Sequence, residues 1–248
     1  MNAYQLIPFM TGSAYDYADG EIWPELKYHT WDMWLTRAAM KLSRGERVHR
    51  RVTGKVWPRI APTMIGEARA KNIVDSVMSL GELGVRGALV DCGVWRGGST
   101  MLMAACDSYR QIYCCDTFDG FDETDALLEG VPNPKALKVR LHEVLENFNK
   151  YGVSTDFVTC MKGKVQDTLR RVEAPVALLR IDVDMACPTL SCLEQIYPKM
   201  SKGGIVIVDD YGCKAYQCRS AVDSFRKINK ITSPIQWIDE DGIWWRKE

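Results

Sequence analysis

The chain has 248 residues, balances 32 Lys and Arg against 32 Asp and Glu, and is 46% hydrophobic and 26% charged. That balance excludes a disordered chain, which is poor in apolar residues and high in net charge. It also argues against a general nucleic-acid binder, which needs a basic surplus. The length suits one α/β domain, or a smaller domain with an extension, and its core needs no disulfide or metal staple.

Residues 1–60 stand apart by composition. They hold Trp23, Trp31, Trp34 and Trp57 of the eight tryptophans, and Tyr4, Tyr15, Tyr17 and Tyr28 of the ten tyrosines. No basic start leads into an apolar core, so no signal peptide is read there. No run along the chain approaches the roughly 18 apolar residues of a membrane span. Asp32–Met40 has the spacing of a short helix. Arg44–Arg51 (RGERVHRR) is the most basic stretch and reads as a solvated face or an anion-facing lid.

From Pro62 the pattern turns regular. Met64–Leu83 predicts a helix with Ile65, Ala68, Ile73, Val77 and Leu80 on one side and Gly84 as its stop. Five apolar runs follow, separated by helical stretches: Gly87–Cys92, Gln111–Asp116, Asp156–Met161, Val176–Asp182 and Gly204–Asp209. Near-continuous apolar strands are buried on both faces, and their alternation with helices predicts βαβ units and a parallel sheet. Ile235–Trp245 reads as two short strands around the turn Glu240-Asp241-Gly242. The nine cysteines show no C-x-x-C spacing, and several lie in apolar runs. They read as reduced thiols of a cytoplasmic protein.

Two sets of residues carry chemistry. Gly93, Gly97 and Gly98 lie between the first strand and a helix that opens at Ser99-Thr100, where glycines permit close backbone approach and free N–H groups receive a polar ligand. The spacing is neither G-x-G-x-x-G nor a P-loop. Asp91 at the strand end would repel a pyrophosphate but suits a cationic ligand. Asp116 ends the next strand, where an acid commonly takes a ribose. A ribose with no required phosphate, beside a site for a cation, fits S-adenosylmethionine. The second set is acidic: Asp182, followed by Asp184, at one strand end, and Asp209 and Asp210 at the next. Converging carboxylates repel unless a cation joins them, and hard oxygens select Mg²⁺, Ca²⁺ or Mn²⁺. His29, His49 and His142 lie outside these strand ends and build no nucleophilic triad. Cys187, close by, reads as a bystander.

The segments TMIGEARAKN (63–72), DCGVWRGGST (91–100), DTFDGF (116–121), GKVQDTL (163–169), LLRIDVD (178–184), GGIVIVDDYG (203–212) and GIWWR (242–246), in this order, resemble the TylF/MycF/NovP-type O-methyltransferases, the macrocin methyltransferase family. The resemblance spans about Thr63 to Arg246. It implies a Rossmann-like methyltransferase fold with a seven-stranded, mostly parallel sheet and a terminal antiparallel hairpin. It implies S-adenosylmethionine and Mg²⁺ (or Mn²⁺) as cofactors, and methylation of a sugar hydroxyl on a glycoside or glycan. Carried over by position, Asp91, Gly93 and Ser99 would line the methionine part, Asp116 would hold the ribose, Gly163, Val165 and Gln166 would lie near the adenine, and Met64 and Gly97 would also bind the cofactor. Asp182, Asp209 and Asp210 would bind the metal, with Asp182 the catalytic base. Residues 61–248 would be the catalytic domain and residues 1–60 an aromatic-rich extension or lid whose Trp23, Trp31 and Trp34 are candidate sugar contacts, as are Tyr211 and Tyr216.

The chain departs from the family at Asp91, where Glu is usual, and in D-V-D-M-A-C-P-T (182–189), where Val183, Ala186 and Pro188 replace Gly, Tyr and Ser next to the acceptor. The expected partner is a small-molecule or glycan acceptor, with no nucleic acid and no membrane; a homo-oligomer is compatible with the sequence. Two other readings share these motifs: a catechol-type methyltransferase acting on a phenol or small diol, and a binding protein that kept the fold without the chemistry.

Overall fold

The computed structural model describes residues 2–11, 61–128, 130, 133–135, 137–173, 175–214 and 217–248. The expected Asp32–Met40 helix, the basic stretch Arg44–Arg51, Trp23, Trp31, Trp34, Trp57 and Tyr216 lie outside the described residues.

The strands are β1 (Ala88–Cys92), β2 (Ile112–Asp116), β3 (Val158–Lys162), β4 (Val176–Ile181), β5 (Met200–Val208), β6 (Gln236–Trp237) and β7 (Ile243–Arg246). They form one seven-stranded sheet in the order β3-β2-β1-β4-β5-β7-β6. β1 to β5 pair in parallel, while β7 runs antiparallel to both β5 and β6. The expected parallel sheet with a terminal hairpin is therefore present, and β7 inserts between β5 and β6. Order reverses about β1, which has β2 on one side and β4 on the other; ligands of open α/β sheets bind at the carboxyl ends of strands at such a switch point.

Helices cover both faces. Among the described residues they are α1 (Ala3–Met10), α2 (Glu67–Glu82), α3 (Gly98–Cys106), α4 (Glu123–Leu128), α5 (Leu141–Tyr151), α6 (Val165–Thr168), α7 (Ala186–Ile196) and α8 (Cys218–Ile228). Alternation along each strand divides the core in two. Leu89, Leu178, Ile205 and Ile207 meet α1, α2, α3 and α5, whereas Val90, Leu179, Val206 and Val208 meet α7 and α8. Each such fully buried aliphatic side chain contributes about 1.5–3 kcal/mol.

α2 begins three residues after its expected start because Gly66 holds an extended conformation as its cap. The stop is as expected: Gly84 takes φ +65. α1 lies inside the stretch read as an extension or lid, yet Ala3, Leu6, Ile7 and Met10 are buried in the same core as α2 and α3. An Asn2–Gln5 capping box closes its first turn. His142 is exposed on α5. All nine cysteines are free, and no helix of the described residues is long and apolar enough to cross a membrane.

Candidate active site

Parallel hydrogen bonding brings the acids to one sheet edge. The Asp182 N–H donates to the Cys92 carbonyl at 2.9 Å, and the Asp209 N–H to the Ile181 carbonyl at 3.0 Å. Each acid thus follows the last paired residue of its strand. Asp184, in the turn after β4, holds φ +59, a conformation Asp tolerates better than most residues.

The glycine loop sits against this edge. Gly93 has φ +83, and a Cβ there would meet the Asp182 carbonyl oxygen at 1.7 Å, so only glycine fits. Gly97, with φ +91, caps α3. The Gly98 N–H donates to the Pro62 carbonyl at 3.0 Å, which docks the segment carrying the half-buried Met64 onto the start of α3.

Asp91 and Ser99 are placed beneath this loop. Asp91 is fully buried and accepts hydrogen bonds from Ser99 Oγ at 2.7 Å, Thr100 Oγ1 at 2.6 Å and Arg180 Nη1 at 2.8 Å. Asp116 is also committed. Its Oδ2 accepts from the Val94 and Trp95 N–H groups at 2.8 and 3.0 Å, and its Oδ1 from the Phe118 N–H at 2.8 Å. Burial pushes its carboxyl up, and these N–H groups oppose the shift.

A cleft of about 360 Å³ opens beyond β2, between Thr117–Thr124 and Gly163-Lys164. Of the residues expected near an adenine, only Gly163 lines it. Val165 turns into the core, and Gln166 Nε2 donates to Asp125 Oδ2 at 2.8 Å. Tyr211, expected as an acceptor contact, is buried with its hydroxyl donating to Asp223 Oδ1 at 2.7 Å. Cys187 is exposed.

Two arginines that the motif reading passed over organise the acidic edge. Arg180, at the end of β4 and fully buried, reaches Asp91 with Nη1 and both Asp182 Oδ2 and Asp209 Oδ2 with Nη2. Burial alone would lower its pKa; the Asp209, Asp182 and Asp91 carboxylates outweigh that and hold it well above the usual value. Arg69 of α2 bonds Asp239 at 2.9 Å and the Asp209 carbonyl at 3.3 Å. The available signal was a charged residue inside the apolar run LLRID, because a buried cation requires paired anions.

The acids remain incompletely balanced. Asp209 Oδ1 and Asp210 Oδ2 are buried without a hydrogen-bond partner. Burial pushes Asp209 up to about 6, against the pull of Arg180. Burial, with Asp184, Asp182 and Asp209 nearby, raises Asp210 well above the carboxylate range. Among the described residues no three His, Cys, Asp or Glu side chains form a ready-made metal cage; Arg180 holds one oxygen each of Asp182 and Asp209. The two unpartnered oxygens, on adjacent residues at the end of β5, are hard donors of the kind a divalent cation takes.

Comparison with known proteins follows the same line. The family described as macrocin O-methyltransferase (TylF) matches residues 6–247. The chain is 37% identical over 209 residues to 8-demethyl-8-(2,3-dimethoxy-alpha-L-rhamnosyl)-tetracenomycin-C 4'-O-methyltransferase of Streptomyces olivaceus, covering 79% of each chain. It is 32% identical over 216 residues to mycinamicin III 3''-O-methyltransferase of Micromonospora griseorubida, covering 79% of this chain and 83% of that one. The solved structure of the O-methyltransferase NovP superposes with a TM-score of 0.81 at 31% identity, covering 99% of this chain and 97% of NovP. The fold is that of S-adenosylmethionine-dependent methyltransferases, and the chain belongs to the macrocin O-methyltransferase family.

Proposed function

We propose that this protein transfers the methyl group of S-adenosylmethionine to a sugar hydroxyl of a glycoside, with a divalent cation, Mg²⁺ or Mn²⁺, held by Asp182, Asp209 and Asp210. The observation that carries the reading is the pair of buried, unpartnered oxygens on Asp209 and Asp210, set beside the glycine loop of a methyltransferase fold. The sugar comes from the relatives: one is named for a rhamnosyl-tetracenomycin, another for mycinamicin III.

In this reading Gly93, Gly97 and the N–H groups of Ser99 and Thr100 receive the methionine part of the cofactor. Asp91 and Ser99 support that loop from below, since Asp91 is already held by two hydroxyls and Arg180. Asp116 fixes Val94 and Trp95 and meets the ribose by sharing oxygens that already accept loop N–H groups. Gly163 borders the cleft for the base.

A bound divalent cation supplies charge stabilisation for an alkyl hydroxyl that is losing its proton, worth several kcal/mol. Asp182 is the proton acceptor: its side chain is 28% exposed, whereas Asp209 is fully buried. Its Oδ2 is held by Arg180, so the proton would go to Oδ1, at the edge of the cation site. The free cysteines suit a reducing compartment, and we assign the enzyme to the cytoplasm. The test is methyl transfer to rhamnose, fucose, xylose and glucose glycosides, with and without EDTA. Turnover that EDTA stops and Mg²⁺ restores, while S-adenosylhomocysteine still binds, is the expected result. Undiminished turnover in excess EDTA removes the metal from the reading, and failure on every glycoside removes the sugar.

A further inference from the structure

Asp91 and Arg180 are neighbours in the β1–β4 ladder, which sets a buried guanidinium directly beside a buried carboxylate. The Arg180 fork then extends in two directions. Nη1 serves the glycine-loop side, with Asp91 Oδ1 at 2.8 Å and the Gly93 carbonyl at 3.4 Å. Nη2 serves the acidic edge, taking Oδ2 of Asp182 and Oδ2 of Asp209.

We propose that Arg180 is a positioning residue for the divalent-cation site, which it also ties to Asp91 beneath the cofactor loop. The proposal rests on the metal reading above. Holding one oxygen of each carboxylate fixes its plane, so that the remaining oxygens, Asp209 Oδ1 among them, are presented without competition from a second donor. Outer partners that orient ligands in this way commonly control metal affinity. A planar guanidinium can bridge both sides at once, whereas an ammonium is a single point charge that cannot span them. The same link makes Asp91 felt at the metal: with its charge removed, Arg180 presents more uncompensated positive charge to an incoming cation.

The experiment is Mn²⁺ titration of the full-length protein by calorimetry, on wild type, Arg180→Lys and Asp91→Asn, with folding checked by circular dichroism and S-adenosylhomocysteine binding measured alongside on wild type. Arg180→Lys is expected to weaken Mn²⁺ binding roughly 10–100-fold. Asp91→Asn, which leaves Asp182, Asp209 and Asp210 in place, is expected to weaken it about tenfold. A folded Arg180→Lys within about threefold of wild type overturns the proposal. If Arg180→Lys does not fold, Asp91→Asn decides: tenfold weakening supports the proposal and unchanged affinity overturns it. Wild type that binds S-adenosylhomocysteine but no Mn²⁺ overturns the metal reading and this proposal with it. Wild type that binds Mn²⁺ as tightly as both variants overturns the role of Arg180 alone.

Discussion

Gly93 packs against Asp182 so closely that a Cβ on the glycine would stand 1.7 Å from the Asp182 carbonyl oxygen. The loop after β1 and the acid after β4 therefore share one backbone contact, and neither can shift without the other. Gly93→Ala adds this clash to the strain of φ +83. It is expected to destabilise the protein by about 3 kcal/mol or more. Urea unfolding measures the loss; a change below about 1 kcal/mol contradicts the packing.

Asp116 binds three backbone N–H groups of the segments on either side of it. Asp116→Asn points an amide N–H₂ at donors that need an acceptor. The penalty is about 1–3 kcal/mol, and S-adenosylhomocysteine affinity is expected to fall at least about tenfold. Calorimetry with unchanged affinity would show that the loop is ordered without this carboxylate.

Tyr211→Phe separates structural from acceptor-binding roles. It removes the hydroxyl bond to Asp223 and is expected to lower stability by about 1 kcal/mol. The KM for a glycoside acceptor should not change. A raised KM with unchanged stability returns Tyr211 to the acceptor site.

The loop after β2 carries a pH dependence. Lys135 and Lys138 bond Asp119 and lower its carboxyl from the ordinary 3.8 to about 2. A carboxyl depressed in the folded state stabilises above its unfolded value, and the contribution is lost as pH falls through the folded one. The melting difference between wild type and Asp119→Asn should therefore persist from neutral pH to about 4 and vanish towards about 2. It should be small and shrink in salt, because these side chains are exposed. A difference that grows on acidification contradicts the pairing.

The sheet was legible because doubly covered parallel strands write themselves as apolar runs. GALVDC and VALLRID became β1 and β4 with every strand residue buried. The acids were legible because each stands where an apolar run ends. α1 was harder to read. Its buried residues Ala3, Leu6, Ile7 and Met10 have helical spacing, but the helix is eight residues long and contains Pro8, a residue that normally argues against helix. Val165 and Gln166 show a further limit: a motif position near a site does not state which way its side chain points.

The chain order alone determined that acids would gather at the carboxyl edge of a parallel sheet beside a glycine loop, because strand burial and glycine conformation are local properties. Tertiary structure decided which of their oxygens remain available. Asp91 and Arg180 are 89 positions apart and meet only because β1 and β4 are neighbours in register. Arg180 then takes one oxygen of Asp182 and one of Asp209, and leaves Asp209 Oδ1 and Asp210 Oδ2 without partners. The charge balance of a buried site depends on contacts a few ångströms long between distant segments, and such contacts exist only once the sheet is assembled.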